Sequence, residues 1–394
     1  MKRIALFLVL LIVGASPAVA APKSVAVKKL NVIAVNQGAE KLVISGKTIV
    51  TVGNTDGINS NIQLTGLDIN GVQLWQKTID SGVDEVALAV AADATGNIWL
   101  AGASSPIVAS ESVTSPVQAE NPDGVVVEPV SKIRGDMNLL TIWKVSLTGD
   151  LMATYTSVQS APALISAISV NSSGASVTGS LQGKPFIQSV TAQGSFGKLI
   201  SIGTSKSSLN AIVRHSDGTI SVFGTSAETL GGKKLAGVRD GVLIKVSKTG
   251  AITSVVRSSA PKADRAWIAA DASLALTGYV KSGKVIESAF TKFTTAFAPT
   301  WTLRVPSLGT STVVSAGTTT YGAIASNSAV SGVLGWKPTT PSLLLLSFDS
   351  KGVVTGAFGS SDIAEPIALR FSKDLGLVGL AKTSSQSVSL FKLP

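Results

Sequence analysis

Residues 86–104 read VALAVAADATGNIWLAGAS, and this stretch decides the fold. Two runs of small and apolar residues flank Asp93-Ala94-Thr95-Gly96, and the second run closes on Ala101-Gly102-Ala103. Short apolar runs broken by Asp and Gly predict two buried strands joined by a tight turn. The unit recurs as KLVISGKTIVTVGNT (41–55), LISAISVNSSGASVTGS (164–180) and LNAIVRHSDGTISVFGTS (209–226). Weaker copies are AWIAADASLALTGYV (266–280), TVVSAGTTTYGAIASN (312–327) and PIALRFSKDLGLVGLAK (366–382). Gly53, Gly102, Gly179, Gly224, Gly278 and Gly379 close six copies, and the sixth in chain order has Ala325-Ser326 instead.

A third strand follows every hairpin, at 62–69, 139–146, 185–192, 242–249, 288–295, 343–350 and 387–394. Most then turn on Gly71, Gly149, Gly194, Gly250 or Gly352 into a more variable fourth strand. A repeat of about 53 residues holding four strands matches a β-propeller blade. The expectation is an all-β chain, a β-propeller of seven four-stranded blades. The last copy lacks a fourth strand, and residues 24–35 supply a spare one before the first hairpin. That N-terminal strand is expected to join the last blade and close the ring without a free edge.

Lys2 and Arg3, the apolar run 4–13 and Ala18-Val19-Ala20 have the form of a signal peptide. Residues 1–20 are assigned to it, with cleavage after Ala20 and a secreted or otherwise extracytoplasmic location. Residues 21–394 are expected to form one propeller domain, with 103–137 as a long inter-strand insertion. No other stretch approaches 18 apolar residues, so the mature chain has no expected transmembrane segment. The chain has 394 residues, no Cys and one His, which excludes thiolate chemistry and multi-histidine metal sites. Loss of Lys2 and Arg3 takes the formal charge from +10 to +8.

Residues 71–105, GVQLWQKTIDSGVDEVALAVAADATGNIWLAGASS, resemble the bacterial seven-bladed β-propeller repeat called SBBP, as do residues 223–251. The match is a Gly-x-x-x-Trp strand, an Asp-turn-Gly-Asn hairpin and a closing Gly. Leu67-Asp68-x-x-Gly71-x-x-x-Trp75 also resembles quinoprotein-type propeller repeats. The resemblance covers units one, two and four most clearly. It implies a propeller and export, and it carries no catalytic residues over.

His215 lies three residues before the turn Gly218, as Asp93 does before Gly96 and Asn171 before Gly174. A turn-capping role is therefore expected for it, not a catalytic one. No Gly-x-Ser-x-Gly elbow occurs. Asn54, Asp56, Asn59 and Asn61 have alternating oxygen ligands but lack a terminal Glu, so an Asx-rich turn is expected there, not a calcium loop. Trp75 and Trp301 occupy one repeat slot and are expected to pack between blades. No metal, cofactor or catalytic residue is assigned.

Long loops at 103–137, 225–240 and 328–340 share one face with the strand entries. The first carries Glu111, Glu120, Asp123 and Glu128. The binding candidates on that face are Asp84, Glu85, Lys233, Lys234, Arg239, Asp240, Asp264, Arg265, Trp336, Lys337, Asp362 and Glu365. No run of Lys and Arg exceeds two, which argues against specific nucleic-acid binding. The expectation is a monomeric, non-enzymatic exported propeller that binds a protein, glycan or cell-envelope polymer through this face. The alternative is a hydrolase or lyase acting on a carbohydrate or ester, with Asp84, Asp264 or Asp362 at the central mouth. A purely structural envelope role is the third reading.

Overall fold

The computed structural model describes residues 24–35, 38–107 and 132–393. The signal-peptide assignment, the Ala20 cleavage site and the loop acids Glu111, Glu120, Asp123 and Glu128 lie outside them. Among the described residues every regular element is a β-strand, and no helix is long and apolar enough to cross a membrane.

Each repeat folds as its pattern requires. The hairpin 86–104 becomes strands Glu85–Ala92 and Ile98–Ser104, joined at Asp93 and Gly96. Leu139–Val145 and Leu151–Val158 complete a four-stranded antiparallel blade. Four more blades of this kind occupy 41–79, 163–201, 207–258 and 264–306, and a last one is built from 363–392 with Asn31–Val35. Four-stranded blades thus number six, not the seven expected. The sheet from the sixth repeat has six strands instead. Val25–Lys29 runs parallel to Val354–Ser360, with Val27 opposite Ala357, and Val333–Leu334 of the 328–340 loop adds beyond it. The inner strand of each sheet contacts the next in cyclic order, and Ile363–Ser372 meets Lys41–Ser45. Apolar cores fill the gaps between neighbouring sheets, such as Val52, Leu64, Leu100 and Trp143 between the first two blades.

The spare N-terminal strand is also two strands, not one. Asn31–Val35 pairs antiparallel with Val388–Lys392 and completes the last blade as expected. Val25–Lys29 belongs to the neighbouring sheet. Leu30 separates them: it is 1% exposed and packs with Leu345, Ile363 and Phe391, while its amide donates to the Gly359 carbonyl. A buried residue between two sheets requires the chain to cross there.

The closing glycines have a steric cause. Register slips opposite four of them, Gly102, Gly179, Gly224 and Gly278, between Ala87 and Ala89, Ile165 and Ala167, Leu209 and Ala211, and Trp267 and Ala269. These bulges push an inner-strand carbonyl onto the glycine. A Cβ on Gly278 would sit 1.8 Å from the Ala266 oxygen, and one on Gly224 1.9 Å from the Ser208 oxygen. The sixth repeat, with Ala325 in this slot, pairs without a slip. We expect Gly278→Ala to cost about 1–3 kcal/mol, the usual range for overpacking against backbone. A urea unfolding midpoint unchanged from wild type would refute this.

Outer-strand aromatics join neighbouring sheets. A Cβ on Gly149 would meet the Trp75 ring at 2.6 Å, and one on Gly352 would meet Trp301 at 2.6 Å. Both glycines have φ near +80°, at +85° and +80°, so the turn and the stacked indole each require glycine. Trp75 and Trp301 therefore pack between sheets as expected.

Candidate functional site

The acids that begin strands on the loop face are mostly engaged in holding the structure. Asp84 is 3% exposed, accepts the Ser60 amide at 2.7 Å and pairs with Arg134. Glu85 accepts from the Ser81 amide and hydroxyl and, at 3.2 Å, from Trp143 Nε1. Asp240 is fully buried. It accepts the amides of Ala236 and Gly237 and pairs with Arg257 at 3.0 Å. Burial pushes its carboxyl up, but the two amides, the Ser259 hydroxyl and Arg257 outweigh this and hold it below the usual aspartate value. Asp264 receives a two-pronged contact from Arg239, which also reaches the Tyr279 hydroxyl at 3.3 Å.

The central channel, about 260 Å³, is walled by small and branched apolar residues from all the inner strands. Its polar lining is Glu40, Lys41, Ser166, Asn210, Thr312 and Arg370. Asp84, Asp264 and Asp362 are not among the lining residues, so the geometry that the hydrolase alternative needs is not formed there. Glu40 is held by Lys41 at 2.9 Å, Lys132 at 3.2 Å and Asn54 at 2.7 Å. Burial raises its pKa, but the two lysines dominate and lower it overall. A carboxylate kept ionised by cations is a poor proton donor for glycoside cleavage.

Three of the candidates do converge. A groove of about 500 Å³ beside the six-stranded sheet is lined by Trp336, Lys337 and Asp362, with Lys28, Lys29 and Ser360. Val25–Lys29 brings the lysines to one wall, and the 328–340 loop brings the indole to the other. The two meet because Gly359 leaves room: a Cβ there would be 2.3 Å from the Trp336 ring. Trp336 is 7% exposed, and its Nε1 has no hydrogen-bond partner among the described residues. Lys28, Lys29, Lys337 and Asp362 are all exposed, which gives the rim two net positive charges. Sequence reasoning missed Lys28 and Lys29 because it treated residues 24–35 as one closing strand. The signal was Leu30, whose apolar side chain follows two consecutive lysines and breaks the alternation.

The other candidates stand apart. Lys233 and Lys234 are exposed at the fourth blade, on a loop that Arg257 fixes by donating to the Lys233 and Glu228 carbonyls. Glu365 lines a second, more apolar hollow with Leu308, Pro341 and Lys382, and lies 3.8 Å from Lys382. Arg265 is 8% exposed beside Trp267. His215 occupies the expected turn slot: its amide donates to the Thr219 carbonyl, and the Gly218 amide donates back to it. Its side chain does not cap the turn, however. It bonds the Ser221 hydroxyl at 2.7 Å, and Asp217 accepts the Thr219 amide. Burial lowers the imidazole pKa, so the ring is neutral at pH 7. Asn54 is a clamp between the first two blades, exchanging hydrogen bonds with both the amide and the carbonyl of Ala87. Among the described residues no cluster of His, Asp and Glu could hold a metal ion.

No family model matches the chain, and no curated protein does. The chain is similar to BBS1N, crystallised in complex with ARL6DN, at 9% identity and a TM-score of 0.49, covering 95% of this chain and 98% of that one. It is similar to the β-propeller domain of the Trilobed protease from Pyrococcus furiosus at 10% identity and 0.47, covering 93% and 95%. It is also similar to a protein from Lactobacillus plantarum at 13% and 0.46, covering 88% and 95%. Matches at these identities and scores carry no information on ligand or reaction.

Proposed function

We propose that the protein is an exported, non-enzymatic β-propeller that captures an anionic cell-envelope polymer in the groove between Val25–Lys29 and the 328–340 loop. The convergence of Lys28, Lys29 and Lys337 around Trp336 supports this reading. The lysines supply a positive wall, and the indole supplies an apolar floor. Export rests on the n-region, the apolar run and the A-x-A pattern at 1–20, and on the likeness to SBBP repeats. A single domain over 21–394 and a monomeric state belong to the same reading. Asp84, Asp240 and Asp264 are tied to arginines, whereas Lys28, Lys29 and Lys337 stand exposed around the groove.

The test is a titration with poly(glycerol phosphate), an anionic polymer without a sequence to read. Lys28→Glu with Lys337→Glu should weaken binding about tenfold or more at low salt, since opposed potentials become like-charged. Added salt should erase the difference by screening exposed charges. Equal binding by the double variant would remove the groove from the account.

A further inference from the structure

The seam between the fourth and fifth blades holds a cation that the proposed function does not use. Arg239 is forked onto Asp264, Arg257 is paired with Asp240, and Arg304 lies 3.5 Å from Glu287. Among the described residues no carboxylate pairs with Arg265. The residue is 8% exposed, its Nε has no hydrogen-bond partner among the described residues, and its guanidinium stacks 4.5 Å from the Trp267 ring.

Sheet register explains why no acid reaches it. Arg265, Val280 and Glu287 form one cross-strand row, and Trp267, Gly278, Ala289 and Arg304 form the next on the same face. Gly278 and Ala289 put no bulk between the indole and Arg304. Glu287 points its carboxylate to Arg304, and Asp264, adjacent in sequence, is taken by Arg239. Ala263 and Ala260 pack over Val280 and Ala289 and bring no charge. The second cation is close enough to act on the first: burial, then Arg304, pushes Arg265 down to about 10. An enclosed cation with no counter-charge is costly, and buried charges are normally paired.

We propose that Arg265 and Arg304 form a binding site for a small oxyanion, of the size of inorganic phosphate or sulfate. Planar guanidinium groups bind such anions through paired N–H donors. The burial of Arg265 favours a free ion over a bulky headgroup. The site is separate from the lysine groove and rests on different residues.

Melting is measured in inorganic phosphate and in chloride at equal ionic strength. Phosphate should raise the wild-type midpoint, because a ligand of the folded state alone stabilises it by mass action. Arg265→Met should show no phosphate-dependent rise and should melt at or above wild type in chloride, since an unpaired buried charge is gone. Arg304→Gln, at a 39% exposed side chain, should keep the fold and weaken phosphate about tenfold. Lys337→Glu should retain the full phosphate response, which separates this site from the groove. A phosphate rise that persists in Arg265→Met, or none in wild type, would overturn the assignment. So would an Arg265-dependent shift with anionic lipid vesicles and none with phosphate.

Discussion

Deleting residues 24–35 should abolish cooperative folding. Asn31–Val35 is the outer strand of the last blade, and Val25–Lys29 covers the edge of Val354–Ser360 in the six-stranded sheet. Their loss exposes two strand edges at once, and open edges invite pairing with other chains. It also removes Leu30, fully enclosed among Leu345, Ile363 and Phe391. Emptying a buried leucine site alone costs about 2–5 kcal/mol. A typical domain has only about 5–15 kcal/mol in all. The truncated chain should therefore aggregate or melt without a sharp transition, and Leu30→Ala should fold with a clearly lower midpoint. The reverse change is available because the chain has no cysteine. Asn31 and Lys392 are paired across the closure, so Asn31→Cys with Lys392→Cys should form a disulfide under mild oxidation and raise the midpoint. A truncated protein that melts as sharply as wild type, at the same temperature, would refute the closure.

Asp240→Ala is the single substitution expected to cost most outside the cores. Asp240 is 0% exposed, and the Arg257 side chain is 7% exposed. Removing one partner strands the other charge, which costs about 3–5 kcal/mol. It also frees the amides of Ala236 and Gly237 that shape the 225–240 loop. The pH dependence has a fixed sign. The folded pKa is depressed, so the stabilisation is present above the ordinary value of 3.8 and is lost as pH falls through the lower folded value. The gap between wild type and variant should thus be full at pH 7 and shrink in acid. A double variant, Asp240→Leu with Arg257→Met, should recover part of the loss, because neither charge is left alone. A constant gap from pH 7 to pH 2, or none at all, would show that the pair does not carry this stability.

The repeated hairpin was legible because tight turns and bulges need particular residues at particular places. Gly102 and Gly278 mark close backbone approaches opposite bulges, whereas the copy with Ala325 pairs without a bulge. The six-stranded sheet was not legible. A parallel addition such as Val25–Lys29 leaves no turn signal, and only the burial of Leu30 reveals the crossing. The loop face was placed by strand order alone, but the fate of each charge was not. Asp84 and Asp362 both stand just before an inner strand. Arg134 reaches Asp84 from a distant loop, whereas Asp362 stays exposed in the groove. Partners that far apart in sequence are set by tertiary contact, so a list of loop charges could not separate clamps from ligand-facing groups.

The most direct test is to follow binding and chain length of poly(glycerol phosphate) in one experiment. Wild type should bind it in a salt-dependent way and leave its length unchanged over many hours. The groove variant Lys28→Glu with Lys337→Glu should lose that binding while keeping the wild-type melting midpoint. Shortening of the polymer by wild type, or undiminished binding by the folded groove variant, would contradict a non-enzymatic capture through this face.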